Sequence, residues 1–217
     1  MFHKTLKDHV YDYISKKIND STLKPNERIN ENRISEDLEV SRTPVREALM
    51  QLASEGYLEK TPRKGFIVKE LSLDRVKNLY AIIGSLEALA ASFAIDKLTN
   101  EDMQDMEKVL LKTDKAISDM DYSKYYKLQA EFHNIFIKAA DNEELLELLT
   151  SLKRNFIRQT YITDKEQVDT LLKVVQETHK EHWVIYRLFK EKKGEELEKY
   201  LRDVHWNVRY AKYDSMI

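Results

Sequence analysis

Two arginines four residues apart are the first pattern in this sequence that could do chemistry. Arg42 and Arg46 follow Ser41 and flank Thr43, in a segment with helical spacing of apolar residues. Residues four apart share one helix face, and a guanidinium can donate two hydrogen bonds to guanine O6 and N7 in the major groove. Hydroxyls and N–H groups at a helix start hold phosphates. The pattern fits a DNA-reading helix, and the alternative, a solvated basic face, is common and stays open at this point.

A second basic group follows in a short turn. Residues 57–60 and 66–68 are β-prone, and Pro62, Arg63, Lys64 and Gly65 lie between them, which predicts a hairpin. A glycine at the tip lets the backbone approach a minor groove or a phosphate closely. We therefore expect Arg63, Lys64 and Gly65 to contact DNA beside the helix.

Three histidines in the second part of the chain fall on apolar helical faces. The spacing predicts that His133, His182 and His205 all point into a helical bundle. Three neutral imidazoles that meet would hold a divalent metal and leave coordination positions open. The alternative is that each is a core histidine with its own hydrogen-bond partners.

Composition limits the fold class and the kinds of site. The chain has 217 residues, 34% of them charged, with only 4 Gly and 3 Pro, which favours a mainly helical protein. It has no run of 18 apolar residues and no secretory pattern, so we expect a cytoplasmic protein without a membrane partner. The absence of Cys excludes disulfides and thiolate sites. Because the net charge is -2, DNA binding would depend on a local patch.

The distribution of Gly and Pro predicts two domains, 1–70 and 71–217. Helices at 5–20, after residue 30 and after Ser41, followed by the hairpin, predict a winged helix-turn-helix with a small β-hairpin wing. The second domain should be an all-helical bundle of about six helices. Its predicted helices are 74–97, 100–119, 122–140, 143–161, 166–192 and 194–212.

Residues 41–58 resemble the signature of the GntR family of bacterial transcription regulators. The residues that carry the resemblance are Ser41-Arg42-Thr43-Pro44-Val45-Arg46-Glu47-Ala48-Leu49, Leu52 and Glu55-Gly56-Tyr57-Leu58. Residues 74–212 resemble the FCD ligand-sensing domain of the FadR subfamily. The resemblance implies a DNA-binding regulator and not an enzyme. It also implies that Arg42 and Arg46 contact bases or phosphates and that the wing at Lys64 and Gly65 reaches the adjacent groove.

The resemblance also implies a metal site. Many FCD domains carry an Asp one turn before a Phe-His pair, a Glu-His pair on a later helix and a His on the last one. His133, His182 and His205 match these positions, whereas Gln129 stands where Asp is usual and offers only a neutral oxygen. We expect a divalent metal, Zn²⁺ first, with Ni²⁺, Mn²⁺ or Fe²⁺ as alternatives. His179, one turn before His182, is left out of the site.

These features together predict a homodimeric regulator that binds a palindromic double-stranded DNA operator and senses a small-molecule effector in its helical domain. A repressor is our first choice, and an activator is the alternative. Many FCD relatives hold small carboxylates with an Arg on the first helix of the domain, but residues 81–87 contain none, so the effector stays open. Gly84 in this stretch favours close helix packing over room for a ligand.

Two other functions are weighed against this one. The first is a metal-free regulator that binds a bulky ligand such as an acyl-CoA. The second is a metal-dependent hydrolase, which we disfavour because Glu131 and Glu181, which adjoin ligand positions, should not face the same way as the ligands.

Overall fold

A computed structural model of the chain describes residues 5–19, 22–69, 73–154 and 165–214. The chain divides into two compact units, one containing the described residues up to 69 and one containing those from 73 onward. The predicted boundary between residues 70 and 71 lies outside the described residues, so the domain limits stay a prediction.

The N-terminal unit is a winged helix-turn-helix, as predicted. Its elements are α1 (Leu6–Asn19), α2 (Glu31–Asp37), α3 (Arg42–Ser54), β1 (Leu58–Thr61) and β2 (Gly65–Val68). The two strands pair antiparallel, with Leu58 opposite Val68 and Thr61 opposite Gly65. Its core contains Val10, Ile14, Val45, Leu49, Leu52, Leu58, Phe66 and Val68, all buried. Burial of these side chains fixes α3 and the wing in one frame.

Local signals explain where α2 and α3 begin and end. The Asn30 side chain accepts hydrogen bonds from the N–H groups of Asn32 and Arg33 at 3.1 and 3.2 Å and so caps α2. Ser41 lies at the N-cap position of α3, but its side chain makes no capping hydrogen bond. Gly56 ends α3 with φ +83°, a left-handed conformation that glycine adopts without strain.

The C-terminal unit is the predicted helical bundle. Its main helices are α4 (Leu73–Ala94), α5 (Asn100–Ser118), α6 (Tyr122–Ala139), α7 (Glu143–Arg154), α8 (Lys165–Lys190) and α9 (Gly194–Tyr200). The last residues of the helix predicted over 143–161 lie outside the described residues. Among the described helices, none combines the length and the apolar character needed to cross a membrane.

The predicted single helix over 194–212 is wrong. The chain passes from α9 into a π-helical turn (Leu201–His205), then a 3₁₀ turn (Val208–Tyr210) and a short helix α10 (Ala211–Asp214). Val208, which an uninterrupted helix would place on the same buried face as His205, is exposed. The π turn changes the helical phase, and both His205 and Trp206 are buried.

Close packing explains Gly84 in the middle of α4. A Cβ atom at this position would lie 2.7 Å from the Cβ of Trp206, far inside a normal contact. The glycine therefore admits the C-terminal segment to the surface of α4 and brings Trp206 next to the histidines.

Candidate DNA interface and candidate metal centre

The start of α3 exposes all four of its predicted DNA-contacting side chains. Ser41, Arg42, Thr43 and Arg46 are all exposed, while Val45 between them is buried in the core. The helix is thus anchored by its apolar face and presents its basic face to solvent. Whether these residues contact DNA stays a prediction.

Arg46 has an acidic neighbour on α2. Its Nε donates a hydrogen bond to Glu31 Oε2 at 2.9 Å, and its side chain is still 67% exposed. Glu31, Arg46 and Gly65 line the same groove between α2, α3 and the wing. The helix and the wing therefore share one surface.

The wing turn has the backbone that its sequence predicts. Arg63 and Gly65 have φ of +63° and +78°, and Arg63 and Lys64 are exposed. Phe66, which follows the turn, is buried and anchors it. The two basic side chains and Gly65 therefore lie at or beside an accessible tip, and their contact with DNA stays a prediction.

The three predicted histidines meet inside the C-terminal unit. His133 on α6 places its Nε2 3.1 Å from Nε2 of His182 on α8 and 3.2 Å from Nε2 of His205 in the π turn. All three residues are buried, and each offers a nitrogen within 4.8 Å of the others. Among the described residues, this is the group of His, Asp and Glu side chains with the geometry to hold a metal.

A buried carboxylate on α4 orients His133. Glu87 Oε2 lies 2.7 Å from His133 Nδ1 and accepts a hydrogen bond of 2.7 Å from Trp206 Nε1. Lys153 on α7 pairs with the other oxygen of Glu87. The fully buried Glu87 therefore lies between an imidazole, an indole and an ammonium group.

A second carboxylate orients His205. Glu181 Oε2 lies 3.1 Å from His205 Nδ1, and its Oε1 accepts hydrogen bonds from the Tyr210 hydroxyl at 2.8 Å and Arg209 Nη2 at 3.3 Å. The sequence placed Glu181 away from the ligands because it adjoins His182. It does reach the site, but through His205, which lies on a different element. Glu131, in contrast, is exposed.

Burial controls the charges in this cluster. It lowers the pKa of His133 to about 4, although the Glu87 carboxylate acts to raise it. Burial and the neighbouring imidazoles of His205 and His133 hold the pKa of His182 well below its usual value. Burial would raise the pKa of Glu87, but His133 and Lys153 outweigh it and keep this pKa well below its usual range. The favoured state has neutral His133 and His182 beside an ionised Glu87.

Two residues near the three histidines, Gln129 and His179, differ in their surroundings. Gln129 is half-buried on α6, one turn before His133, and its role as a ligand stays a prediction. His179 Nε2 donates a hydrogen bond of 2.9 Å to Asp114 Oδ1 on α5, and its Nδ1 is buried without a hydrogen-bond partner in the described structure. His179 is outside the group of three nitrogens, in keeping with its exclusion from the predicted site.

Sequence reasoning missed Glu87, Lys153 and Trp206. Glu87 had a usable signal: it lies four residues after Ile83 and three before Ala90, both on the buried face of α4. A carboxylate on an apolar face requires a buried partner. Lys153 and Trp206 gave no comparable signal, because their approach depends on how α7 and the C-terminal segment pack.

A winged helix-turn-helix joined to a helical bundle with an internal polar cluster defines a DNA-binding regulator with a sensing domain. Residues 6–68 match the model of the bacterial regulatory proteins, gntR family, and residues 78–204 match the FCD domain. The chain therefore belongs to the GntR family of bacterial transcriptional regulators, in the FadR-like subfamily that carries an FCD domain. Its relatives are regulators and not enzymes.

Individual relatives support this assignment. The HTH-type transcriptional regulator YdhC of Bacillus subtilis is 31% identical over 200 residues, which cover 91% of this chain and 86% of YdhC. The Nta operon transcriptional regulator of Aminobacter aminovorans is 35% identical over 130 residues, 60% of this chain and 61% of that protein. The structure of Escherichia coli McbR/YncC has the same fold, with a TM-score of 0.76, 21% identity and coverage of 97% and 98%.

Proposed function

We propose that this regulator is a homodimeric repressor that reads a palindromic operator with α3 and the wing. In this proposal a small-molecule effector binds at a divalent metal held by His133, His182 and His205 and weakens DNA binding. One observation carries the sensing part: three buried imidazole Nε2 atoms point at one another while carboxylates face two of the Nδ1 atoms.

The hydrogen bonds of the cluster favour a cation at its centre. An imidazole whose Nδ1 faces a carboxylate carries its proton there, which leaves a lone pair on Nε2. His133 and His205 both have this arrangement, and their Nε2 atoms are 3.2 Å apart. Two lone pairs at this distance repel each other. A metal ion between them removes the repulsion, as would a proton shared by the two nitrogens, and the third imidazole at 3.1 Å from His133 Nε2 favours the metal.

The spacing also suits a metal. Ligand nitrogens at about 2.0–2.1 Å from a tetrahedral metal lie about 3.3 Å apart, and in an octahedral site about 3.0 Å apart. The Nε2 distances of 3.1 and 3.2 Å fall between these values. Zn²⁺ is our first choice, and Ni²⁺, Mn²⁺ and Fe²⁺ also take imidazole ligands. Gln129 is proposed as an additional, weaker neutral ligand.

The carboxylates and the histidines of the proposed metal site have different roles. Glu87 and Glu181 hold the rings of His133 and His205 and set their tautomers. A metal with three imidazole ligands supplies an open position for an electron-rich atom of the effector. Because His205 belongs to the π turn and His182 to α8, an effector bound there would act on two different elements of the bundle. A hundredfold loss of DNA affinity requires the effector to favour the non-binding arrangement by roughly 3 kcal/mol.

An uncharged stripe on α4 supports the homodimer. Ile82, Leu89 and Phe93 are 47%, 41% and 41% exposed, with Ser85 and Leu86 between them. A continuous exposed apolar stripe marks an interaction surface. Because it carries no charge that would repel its own copy, we assign it to a second copy of this chain across a twofold axis. Two recognition helices would then read two half-sites one helical turn apart.

Sedimentation velocity tests the dimer. We expect a dimer for the native chain and a monomer for Leu89→Lys, while Leu111→Lys on α5, equally apolar and 58% exposed, stays dimeric. A monomeric native chain contradicts the dimer. A dimeric Leu89→Lys variant contradicts the stripe as its interface.

DNA binding and metal content test the rest of the proposal. Untagged protein should bind duplex DNA from its own promoter region with a strong salt dependence, and elemental analysis should find about one metal per chain. Arg46→Ala should weaken binding at least tenfold, whereas Arg187→Ala on α8 should not. No binding at low salt contradicts the operator proposal. Less than about a tenth of a metal per chain after reconstitution contradicts the metal and favours the metal-free alternative.

A further inference from the structure

An ion pair joins α3 to α2 at the surface of the N-terminal unit. Arg46 Nε donates to Glu31 Oε2 at 2.9 Å, and the side chains are 67% and 23% exposed. A Cβ atom at Gly65 would lie 3.9 Å from Glu31 Oε1, so the wing glycine is next to the same carboxylate. Glu31 therefore lies between the two segments that are predicted to contact DNA.

Neither stability nor overall affinity accounts for the contact between Glu31 and Arg46. Exposed ion pairs contribute little to stability because solvent screens them, and the stabilisation that Glu31 gives α2 as an acidic residue of its first turn does not need Arg46. Next to duplex DNA, a carboxylate is repelled by the phosphates, whose attraction to cations supplies most of the affinity. Glu31 therefore acts against general DNA binding, and its contact with Arg46 suits a role in positioning that guanidinium.

The geometry of the ion pair indicates how Glu31 positions Arg46. Glu31 accepts from Nε, which leaves the two terminal amino groups as the accessible end of the guanidinium. Those two groups form the planar fork that binds guanine O6 and N7 together. A guanidinium fixed at Nε meets a base in one orientation and cannot turn to follow a phosphate without breaking the ion pair.

Arg42 provides the comparison within the same helix. It is exposed, and among the described residues no ion pair involves it. Its guanidinium is free to follow the DNA backbone. The two arginines that the sequence treats as equivalent therefore differ in the structure, and only Arg46 is held by an acidic side chain.

We propose that Glu31 is a specificity-determining residue: it positions Arg46 for base reading and disfavours contact with phosphates. The inference rests on the proposed base-reading role of Arg46. Glu31 acts through Arg46 and does not itself contact a base. Discrimination between DNA sites then comes from the repulsion between Glu31 and phosphates as well as from the attraction between Arg46 and guanine.

Selection from a random duplex library with the full-length protein tests this proposal without knowledge of the operator. The native chain should select sites with a guanine preference that Arg46→Ala abolishes. Glu31→Gln should lower the ratio of affinities for the selected site and for unrelated DNA about tenfold, through weaker binding to the first and tighter binding to the second. Glu36→Gln, which removes the same charge from an exposed position of α2, is the matched control.

A shorter side chain separates positioning from repulsion. Glu31→Asp keeps the charge but withdraws the carboxylate by one methylene, so it should weaken the guanine preference while binding to unrelated DNA stays native. The double variant Glu31→Gln/Arg46→Ala should show the same base preference as Arg46→Ala alone, because the two residues act as a unit.

The outcomes distinguish the role of Glu31 from that of Arg46. If Glu31→Gln and Glu36→Gln have the same affinity ratio, the role of Glu31 is overturned while that of Arg46 stands. If Arg46→Ala keeps the guanine preference, the base-reading role fails and the inference fails with it. Thermal unfolding checks that each variant is folded. We expect native stability because the side chains of Glu31 and Arg46 are both partly exposed.

Discussion

The polar groups that we expect to bind ligands are exposed in the N-terminal unit and buried with partners in the C-terminal unit. At the start of α3, Arg42 and Arg46 are exposed, and Arg46 forms an ion pair with Glu31. In the C-terminal unit, His133 and His205 are buried, and each has a carboxylate on its Nδ1. A surface that binds a large polyanion leaves its donors in water until the ligand arrives, whereas buried imidazoles need partners in the folded chain itself.

This difference predicts where single substitutions act. Changes in the buried cluster should alter metal binding and stability strongly because no solvent replaces a lost partner. Changes at the DNA surface should alter DNA binding and leave stability almost native.

Removal of one imidazole should have the largest effect. His182→Ala should reduce the metal content from about one per chain to below about a tenth, because a site with two imidazoles holds a metal far less firmly. Elemental analysis of untagged protein measures this, with the exposed His9→Ala variant as the control. Metal retained at full occupancy in His182→Ala contradicts the site.

Loss of a supporting carboxylate should have an intermediate effect. Glu181→Gln should weaken metal affinity about tenfold, because a neutral amide no longer favours the proton on His205 Nδ1. A competition titration with a chelator measures the affinity. Glu177→Gln, which removes an exposed charge from the same helix, should leave it native. Equal affinities in the two variants would show that Glu181 does not support His205.

Two glycine substitutions test how closely the C-terminal unit is packed around its buried cluster. In Gly84→Ala the new Cβ meets the Trp206 Cβ at 2.7 Å, which should cost about 1–3 kcal/mol of unfolding free energy. This cost equals or exceeds the roughly 1 kcal/mol that Ala gains over Gly in a helix, so the net change should be a loss of up to about 2 kcal/mol. In Gly194→Ala the nearest atom, Ile95 Cδ1, is at 3.7 Å, so we expect a change within about 0.5 kcal/mol. Denaturant unfolding measures both, and a stabilised Gly84→Ala variant would contradict the tight contact.

The smallest effects should appear at the two helix starts of the N-terminal unit. Asn30→Ala should lower stability by about 1 kcal/mol because two N–H groups lose their acceptor. Ser41→Ala should change stability by less than about 0.5 kcal/mol, since its side chain makes no capping bond. Calorimetry of the N-terminal transition compares them. An equal loss in both variants would show that Ser41 caps α3 after all.

Much of the fold and part of the candidate site could be predicted from local patterns. The winged helix-turn-helix follows from Asn30, Gly56, the apolar spacing of α3 and the turn before Gly65. The histidines followed from their position on apolar faces. The helix predicted over 194–212 failed because helical spacing continues through the sequence there, while the π turn is set by contacts of His205 and Trp206 with distant elements.

The sequence alone determined which side chains are basic and exposed on α3 and which histidines lie on buried faces, because these follow from spacing along single helices. It also indicated the family, through the resemblance of residues 41–58 and 74–212 to known members. Only the tertiary structure decided that Glu87 and Glu181 support the histidines, that Lys153 and Trp206 meet Glu87, and that Glu31 pairs with Arg46. Each of those contacts joins residues at least fifteen positions apart in the sequence, and their distances depend on how helices pack, which no local periodicity encodes.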